Sequence, residues 1–498
     1  MTGFSTMREK VKASYTQRSL VLLQCALLLA LGACLCYALW LPGNLPPVKS
    51  VRWGDKALGD GDFGRYVSQG WWLSQGYGYR EVTAVGPLCT NMAPGYPAFL
   101  AALFCVTNDL NTIRLTQCGI YLSTAILLLL GLRRYAPLPA FAMATAVGTS
   151  PWLASQASML MSEVLGVFWA AILAITIIPV FDRQRKVVSR AAYCVAAGFS
   201  CSALCLTSPV LAPCCFLLIC LLTLVLLKTP RLLLLVVVGA ALPMGIWQTH
   251  CLYATGRPCL TLLNPLGPVC GADWINTWAQ SESDCLVGYC TFVWADNPPD
   301  FSLVPSYAFR NASEFAELRY LATAAANERA GLTGQIRGDC VKALSLRCSE
   351  IARERFVEKP LRCTLILPFQ RTLSAVVAKR AINSLKLEKD ENISRLWPPS
   401  LFREMRLLGV KRACFRLCGG LLAVWAWFSH FLVLAYYVYF GGVLCFVRDR
   451  VIKAFCLTLM CSLFAFGALS PEGRRLYPFL PLVSVVLILQ HVRKPPRI

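Results

Sequence analysis

The residues best suited to chemistry lie in one stretch, 59–97, GDGDFGRYVSQGWWLSQGYGYREVTAVGPLCTNMAPGYP. Asp62 is followed by Arg65 and Tyr66, and Asp60 stands two residues before it. A carboxylate here can take a proton from an acceptor hydroxyl, while an arginine grips a phosphate through its two-pronged guanidinium. Asp60 competes with Asp62 for that role and otherwise joins the substrate contacts, with Arg65, Tyr66, Tyr79 and Tyr96. The bland reading of an Asp in a loop is a solvated side chain. Trp71, Trp72, Tyr77 and Tyr79 read by default as a membrane-interface belt, and as sugar-stacking platforms in the sharper reading.

The rest of the chain must hold that stretch at a membrane. Of 498 residues 56% are hydrophobic and only 15% charged, against about a quarter charged in soluble domains. The apolar residues fall in blocks long enough to cross a hydrocarbon core of ~30 Å. The expected fold is therefore an all-α polytopic membrane protein. Spans are expected near 20–40, 113–132, 137–155, 159–181, 191–208, 210–227 and 232–250, then within 417–447, near 454–470 and near 476–490. That makes about ten transmembrane helices. Residues 96–106 are apolar but too short to span, and predict a re-entrant or surface helix.

Charge placement orients the chain. Arg8, Lys10, Lys12 and Arg18 put residues 1–18 in the cytoplasm, and Arg133–Arg134 and the 183–190 cluster fall on the same side. The core then occupies 19–250, with a first external loop at 42–112. A large external segment covers 251–412, C-terminal spans cover 413–492, and a cytoplasmic tail covers 493–498. Within the large segment, 323–359 reads as amphipathic helix. Residues 361–378 read as an interfacial helix interrupted by Arg362, Pro368 and Arg371, or as an eleventh span.

The net charge of +22 raises nucleic acid as a partner, but basic residues at the ends of apolar runs are explained by anchoring and orientation. Membrane lipid is the expected contact and nucleic acid is not. The 25 cysteines form no CxxC pair and the three histidines are far apart, which argues against zinc or haem. Eight cysteines between Cys251 and Cys363 would partly pair in an oxidising compartment.

Ionisable or polar residues in or beside spans are costly unless they have a partner or a wet cavity. They are Arg114 and Gln117, one helical turn apart, Glu163, and Arg474–Arg475 at the outer end of the last span. Each has a plain alternative as an interface anchor or helix cap.

Together these landmarks resemble the C superfamily of integral-membrane glycosyltransferases, of the bacterial protein-mannosyltransferase and aminoarabinose-transferase type. The likeness rests on Asp62-x-x-Arg65-Tyr66, Gly76-Tyr77 and Pro94-Gly95-Tyr96-Pro97-x-Phe99-Leu100. It continues with Arg114-x-x-Gln117, Ser162-Glu163, Pro243-x-x-x-Trp247 and Lys359-Pro360. It ends on Arg474-Arg475-x-Tyr477 and Pro481. The chain departs from the family pattern in Phe63 after the loop acid, Asn91-Met92-Ala93 before the Pro turn, Ser208-Pro209, and Gln248-Thr249-His250 after Trp247. The resemblance implies an inverting transferase that takes a sugar from a polyprenyl-phosphate donor. Asp62 would activate the acceptor, and Arg65 and Tyr66 would hold the lipid phosphate. Tyr477 enters the substrate contacts on the same ground. No metal is required if arginines neutralise the phosphate, though a divalent cation is compatible with the chemistry.

The acceptor would be a lipid, glycan or protein on the external face. A bacterial inner membrane with a periplasmic site fits, and the sequons at Asn311 and Asn392 would equally suit the endoplasmic reticulum. Two other readings remain: a flippase for lipid-linked sugars, and a non-catalytic assembly subunit.

Overall fold

The computed structural model describes residues 19–36, 61–79, 82–83, 86–87, 93–181, 187–208, 215, 230–255, 272–281, 284–285, 287–288, 301–330 and 339–371. These residues are mostly helical, with one antiparallel pair of two-residue strands, β1 (Val82–Thr83) and β2 (Gly86–Pro87). Five helices among them are long and apolar enough to cross a membrane: α1 (Ser19–Cys36), α4 (Leu110–Leu132), α7 (Glu163–Phe181), α8 (Val187–Thr207) and α9 (Pro230–Thr255). The spans expected at 417–447, 454–470 and 476–490 lie outside the described residues, as does 210–227 apart from Cys215.

Two expectations are corrected. The stretch opening the 59–97 segment is not a loop: residues Gly61–Ser74 form a helix, α2. Its aromatic and small residues recur at helical spacing, so Phe63, Val67 and Gly70 are buried on one side. The span expected at 137–155 is two helices, α5 (Pro137–Gly148) and α6 (Pro151–Ser158). Ser150-Pro151 makes the break. The Ser150 hydroxyl caps α6 by accepting from Leu153 N–H at 3.3 Å, and proline is tolerated where no helical N–H bond is required. Across the break, the Tyr121 hydroxyl donates to the carbonyls of Gly148 at 2.7 Å and Ser150 at 3.3 Å. The short helix expected over 96–106 is α3, Gly95–Phe104.

Small residues set the spacing of this bundle. α8 and α9 cross where Gly198 faces Val236 and Gly239 faces Val195. A Cβ on either glycine would stand 2.1 or 2.2 Å from the opposite carbonyl oxygen. Apolar side chains gain nothing by leaving lipid for one another, so close backbone approach and interhelical hydrogen bonds hold such a pair. The Ser202 hydroxyl adds one, donating to Ala240 O at 2.7 Å. α2 lies on α3 through Gly70, whose Cβ would meet Leu100 Cβ at 2.7 Å. Gly95 at the start of α3 sits against the Leu206 carbonyl and the Thr207 hydroxyl at the end of α8.

Residues 272–371 form a second group of helices: α10 (Ala272–Asn276), α11 (Ala312–Ala330) and α12 (Asp339–Glu358). None is a candidate span. Their core is aromatic, built on Trp274, Trp278, Phe301, Leu318, Leu344 and Ile351. After Glu358 the chain bends at Lys359, and a further helical stretch with a π turn at Arg362–Ile366 runs to Arg371; the rest of the segment expected over 361–378 lies outside the described residues.

Candidate functional site

The candidate residues meet where α2, α3, α4 and the turn between α6 and α7 converge. Tyr66 and Tyr96 are edge to face, ring centroids 4.9 Å apart, in a core that also holds Phe63, Leu100, Ile113 and Leu160. The Tyr66 hydroxyl and the Ser162 hydroxyl are hydrogen-bonded at 3.0 Å. Glu163, the next residue, opens α7 and is 8% exposed. A carboxylate suits the positive end of a helix dipole, which offsets part of the cost of burying it.

Tyr96 is fully buried and its hydroxyl donates to Gln117 Oε1 at 2.5 Å. Burial holds this phenol well above its usual pKa, and the fields of Tyr66 and Glu163 push the same way. Tyr96 is therefore a neutral donor throughout the physiological range. Gln117 in turn donates from Nε2 to the carbonyls of Gln156 at 3.2 Å and Met161 at 3.1 Å. One amide thus spans a chain from α3 to the α6–α7 turn. Leu160 within that turn has φ of 54°, a left-handed conformation that costs a non-glycine residue of order 1 kcal/mol. The strained turn delivers Ser162 to Tyr66 and leads into Glu163 at the start of α7.

Arg114 is fully buried one turn before Gln117, and its Nη2 donates to Asn111 Oδ1 at 3.0 Å. The two residues share a helix. Asp109 starts α4 by accepting from the backbone N–H groups of Asn111 at 3.1 Å and Thr112 at 3.0 Å, with the Thr112 hydroxyl at 2.7 Å. The Thr112 hydroxyl and these amides hold the Asp109 carboxyl below the usual range.

Position 62 lies in the first turn of α2, four residues before Tyr66 and so one helical turn from it. Arg65 is half-buried on the same helix. Tyr79 belongs to a different cluster, with its ring 5.3 Å from Trp247 and packed with Leu206 and Cys251. Asp60, Arg474, Arg475 and Tyr477 lie outside the described residues.

The structure thus brings Tyr66, Tyr96, Gln117 and Glu163 together and adds Ser162 and the Leu160 turn. Ser162 is visible in the sequence only as a neighbour of Glu163. Leu160 carries no signal at all, since its positive φ has neither glycine nor asparagine to announce it. Among the described residues no group of three or more His, Cys, Asp or Glu side chains is placed to hold a metal ion. No family model, curated protein or solved structure matches the chain.

Proposed function

We propose that this is a membrane glycosyltransferase that moves a sugar from a polyprenyl-phosphate donor to a lipid, glycan or protein acceptor. The observation that carries the reading is the hydrogen bond of half-buried Tyr66 to Ser162, next to buried Glu163, with position 62 one turn away at the start of α2. Polar groups at the ends of membrane-length helices, beside a helix that begins with an acid, suit a reaction at the bilayer surface. In the proposed step Asp62 takes the acceptor hydroxyl proton and the freed oxygen attacks the anomeric carbon. The bond from that carbon to the phosphate oxygen breaks, polyprenyl phosphate leaves, and the anomeric configuration inverts. Arg65 binds the phosphate, and Arg114 on α4 adds positive charge to the site. Arginine then supplies the neutralisation a metal would otherwise give, so no cofactor is needed, and a divalent cation remains compatible. The site would face the periplasm from a bacterial inner membrane, with about ten spans and two external segments.

One observation favours the flippase alternative: transporters use discontinuous helices, and α5 and α6 interrupt what would be one span. Against it, the carbonyls at that break are held by the Tyr121 hydroxyl rather than turned to a substrate.

The test is to incubate the purified protein in lipid with radiolabelled polyprenyl-phosphate sugars. Hydrolysis or transfer is expected in the wild type. It should fall about 10²- to 10⁴-fold in Asp62→Asn, the usual contribution of a general base. Tyr66→Phe keeps the ring packing and should lose less. Near-normal turnover in Asp62→Asn removes the base from the mechanism. Donor binding without turnover in the wild type moves the weight to flippase or assembly subunit.

A further inference from the structure

The end of α12 and its continuation carry a one-sided apolar surface that the proposed chemistry does not use. Past Glu358 the chain bends at Lys359 and turns helical again to Arg371, with Lys359 N–H donating to Arg355 O at 2.9 Å and Cys363 N–H to Lys359 O at 3.1 Å. One side is packed into the second group of helices. Leu367 is buried there, and Arg371, 1% exposed, donates from Nη1 to the Asn276 side-chain and backbone carbonyls at 2.8 and 3.3 Å. The other side bears Val357, Leu361, Ile366 and Phe369, which are 74, 67, 51 and 59% exposed. Phe356 beside them is 48% exposed.

The spacing of these four residues is four, then five, then three. In an α-helix a five-residue step would turn a side chain about 140° away from its predecessor. Here that step, Leu361 to Ile366, coincides with the π turn at Arg362–Ile366, whose wider ring absorbs the extra residue. The turn therefore keeps Leu361, Ile366 and Phe369 on one side, with exposed Val357 four residues before Leu361 across the bend at Lys359. Elsewhere in the group, exposed Tyr320 on α11 has no such stripe around it. Charge accompanies the stripe. Of the charges at 353–371, Arg355 and Arg371 are buried on the packed side, which leaves Arg353, Lys359 and Arg362 against Glu354 and Glu358 outside it, a net +1. Lys359 is exposed and Arg362 half-exposed beside Leu361.

We infer that the 357–369 stripe inserts into the headgroup boundary of a bilayer containing anionic lipid. An apolar face flanked by lysine and arginine is the chemistry of a helix that lies in that plane, and basic residues there are drawn to anionic headgroups. The membrane is within the chain's reach because the same polypeptide carries five candidate spans. The inference is independent of whether the protein is a transferase.

The experiment uses the full chain in proteoliposomes, with a photoreactive benzophenone residue replacing Val357 or Phe369, and Tyr320 as the exposed control. One vesicle set is phosphatidylcholine alone and the other includes phosphatidylglycerol. Irradiation is expected to give lipid adducts from 357 and 369 and none from 320. Adducts to this chain's own C-terminal segments, to a second copy or to another protein, or no adduct, would overturn the inference. Lys359→Glu should lower the adduct yield about fivefold in the anionic vesicles and little in the zwitterionic ones. Equal yields in both sets would remove anionic lipid as the partner.

Discussion

At the scale of single residues, Gln117 is the least replaceable member of the cluster. Its amide satisfies the Tyr96 hydroxyl and two carbonyls of the α6–α7 turn at once. Gln117→Leu keeps the volume but strands those buried groups, each costing about 1–3 kcal/mol when unsatisfied. The expected result is a clear drop in the thermal midpoint of the detergent-solubilised protein, together with greater proteolysis between α6 and α7. An unchanged midpoint would mean that other groups satisfy these carbonyls. Tyr307 gives a pH prediction. Burial, and then the neighbouring Asp284 carboxylate, push its phenol up to about 12. A group whose folded pKa is raised stabilises fully below its unfolded value, near 10, and that stability is lost as pH rises through 12. Alkaline unfolding should therefore steepen between pH 10 and 12, and Tyr307→Phe should flatten that window. The Gln117 partnership was half legible in the sequence. A glutamine and an arginine inside an apolar run announce themselves, but their partners come from segments distant along the chain.

At the scale of elements, periodicity located the spans because twenty or so apolar residues have few other uses, and α4, α7, α8 and α9 fall within a few residues of expectation. What it missed has local causes. Gly, Trp and Tyr in 61–74 have poor helix propensity and read as loop, but Phe63, Val67 and Gly70 pack on α3 and tertiary burial prevails. The Ser150-Pro151 break was hidden inside a continuous hydrophobic block, although its capping signal is there in retrospect. Glycine gives the sharpest test of helix packing. Gly198 and Gly245 sit on neighbouring helices, but a Cβ at 198 would meet Val236 O at 2.1 Å, while one at 245 meets nothing within 4 Å. Gly198→Ala should force α8 from α9 and lower yield and thermal midpoint. Gly245→Ala should be neutral or add up to about 1 kcal/mol from helix propensity. If both variants behaved alike, the α8–α9 crossing would not be a backbone contact.

At the scale of the whole molecule, the chain combines two kinds of interior that respond to substitution in different ways. The membrane-length helices are predominantly apolar and are held by small-residue contacts and a few buried polar groups such as Gln117 and Ser202. The 272–371 helices have a mean composition too polar to span, and they enclose charge. Arg355 and Glu314, 9 and 8% exposed, form an ion pair between α12 and α11. Arg355 also donates to Ala308 O at 2.8 Å and lies 5.9 Å from the Trp274 ring. The sequence showed amphipathic helix here but not which charges turn inward, because Glu314 and Arg355 look like any other charged residues on polar helices. Asn311 prepares the pair locally by accepting from Glu314 N–H at 2.8 Å at the start of α11. Burying two ions is expensive, and their attraction offsets that cost only while both are present. Glu314→Gln alone should therefore cost about 3–5 kcal/mol by leaving the arginine uncompensated. Replacing both, as Glu314→Leu with Arg355→Met, should recover most of that loss. Proteolysis of the full chain in lipid, read from fragments within 301–371, separates the outcomes. If the double variant is as labile as the single, Arg355 is held by its contacts to Ala308 and Trp274 rather than by the carboxylate. If the double variant resists and the single does not, the pair specifies how α11 meets α12 and adds little net stability. The helices that carry the 357–369 stripe are then held in register by a contact that hydrophobic pattern alone does not predict.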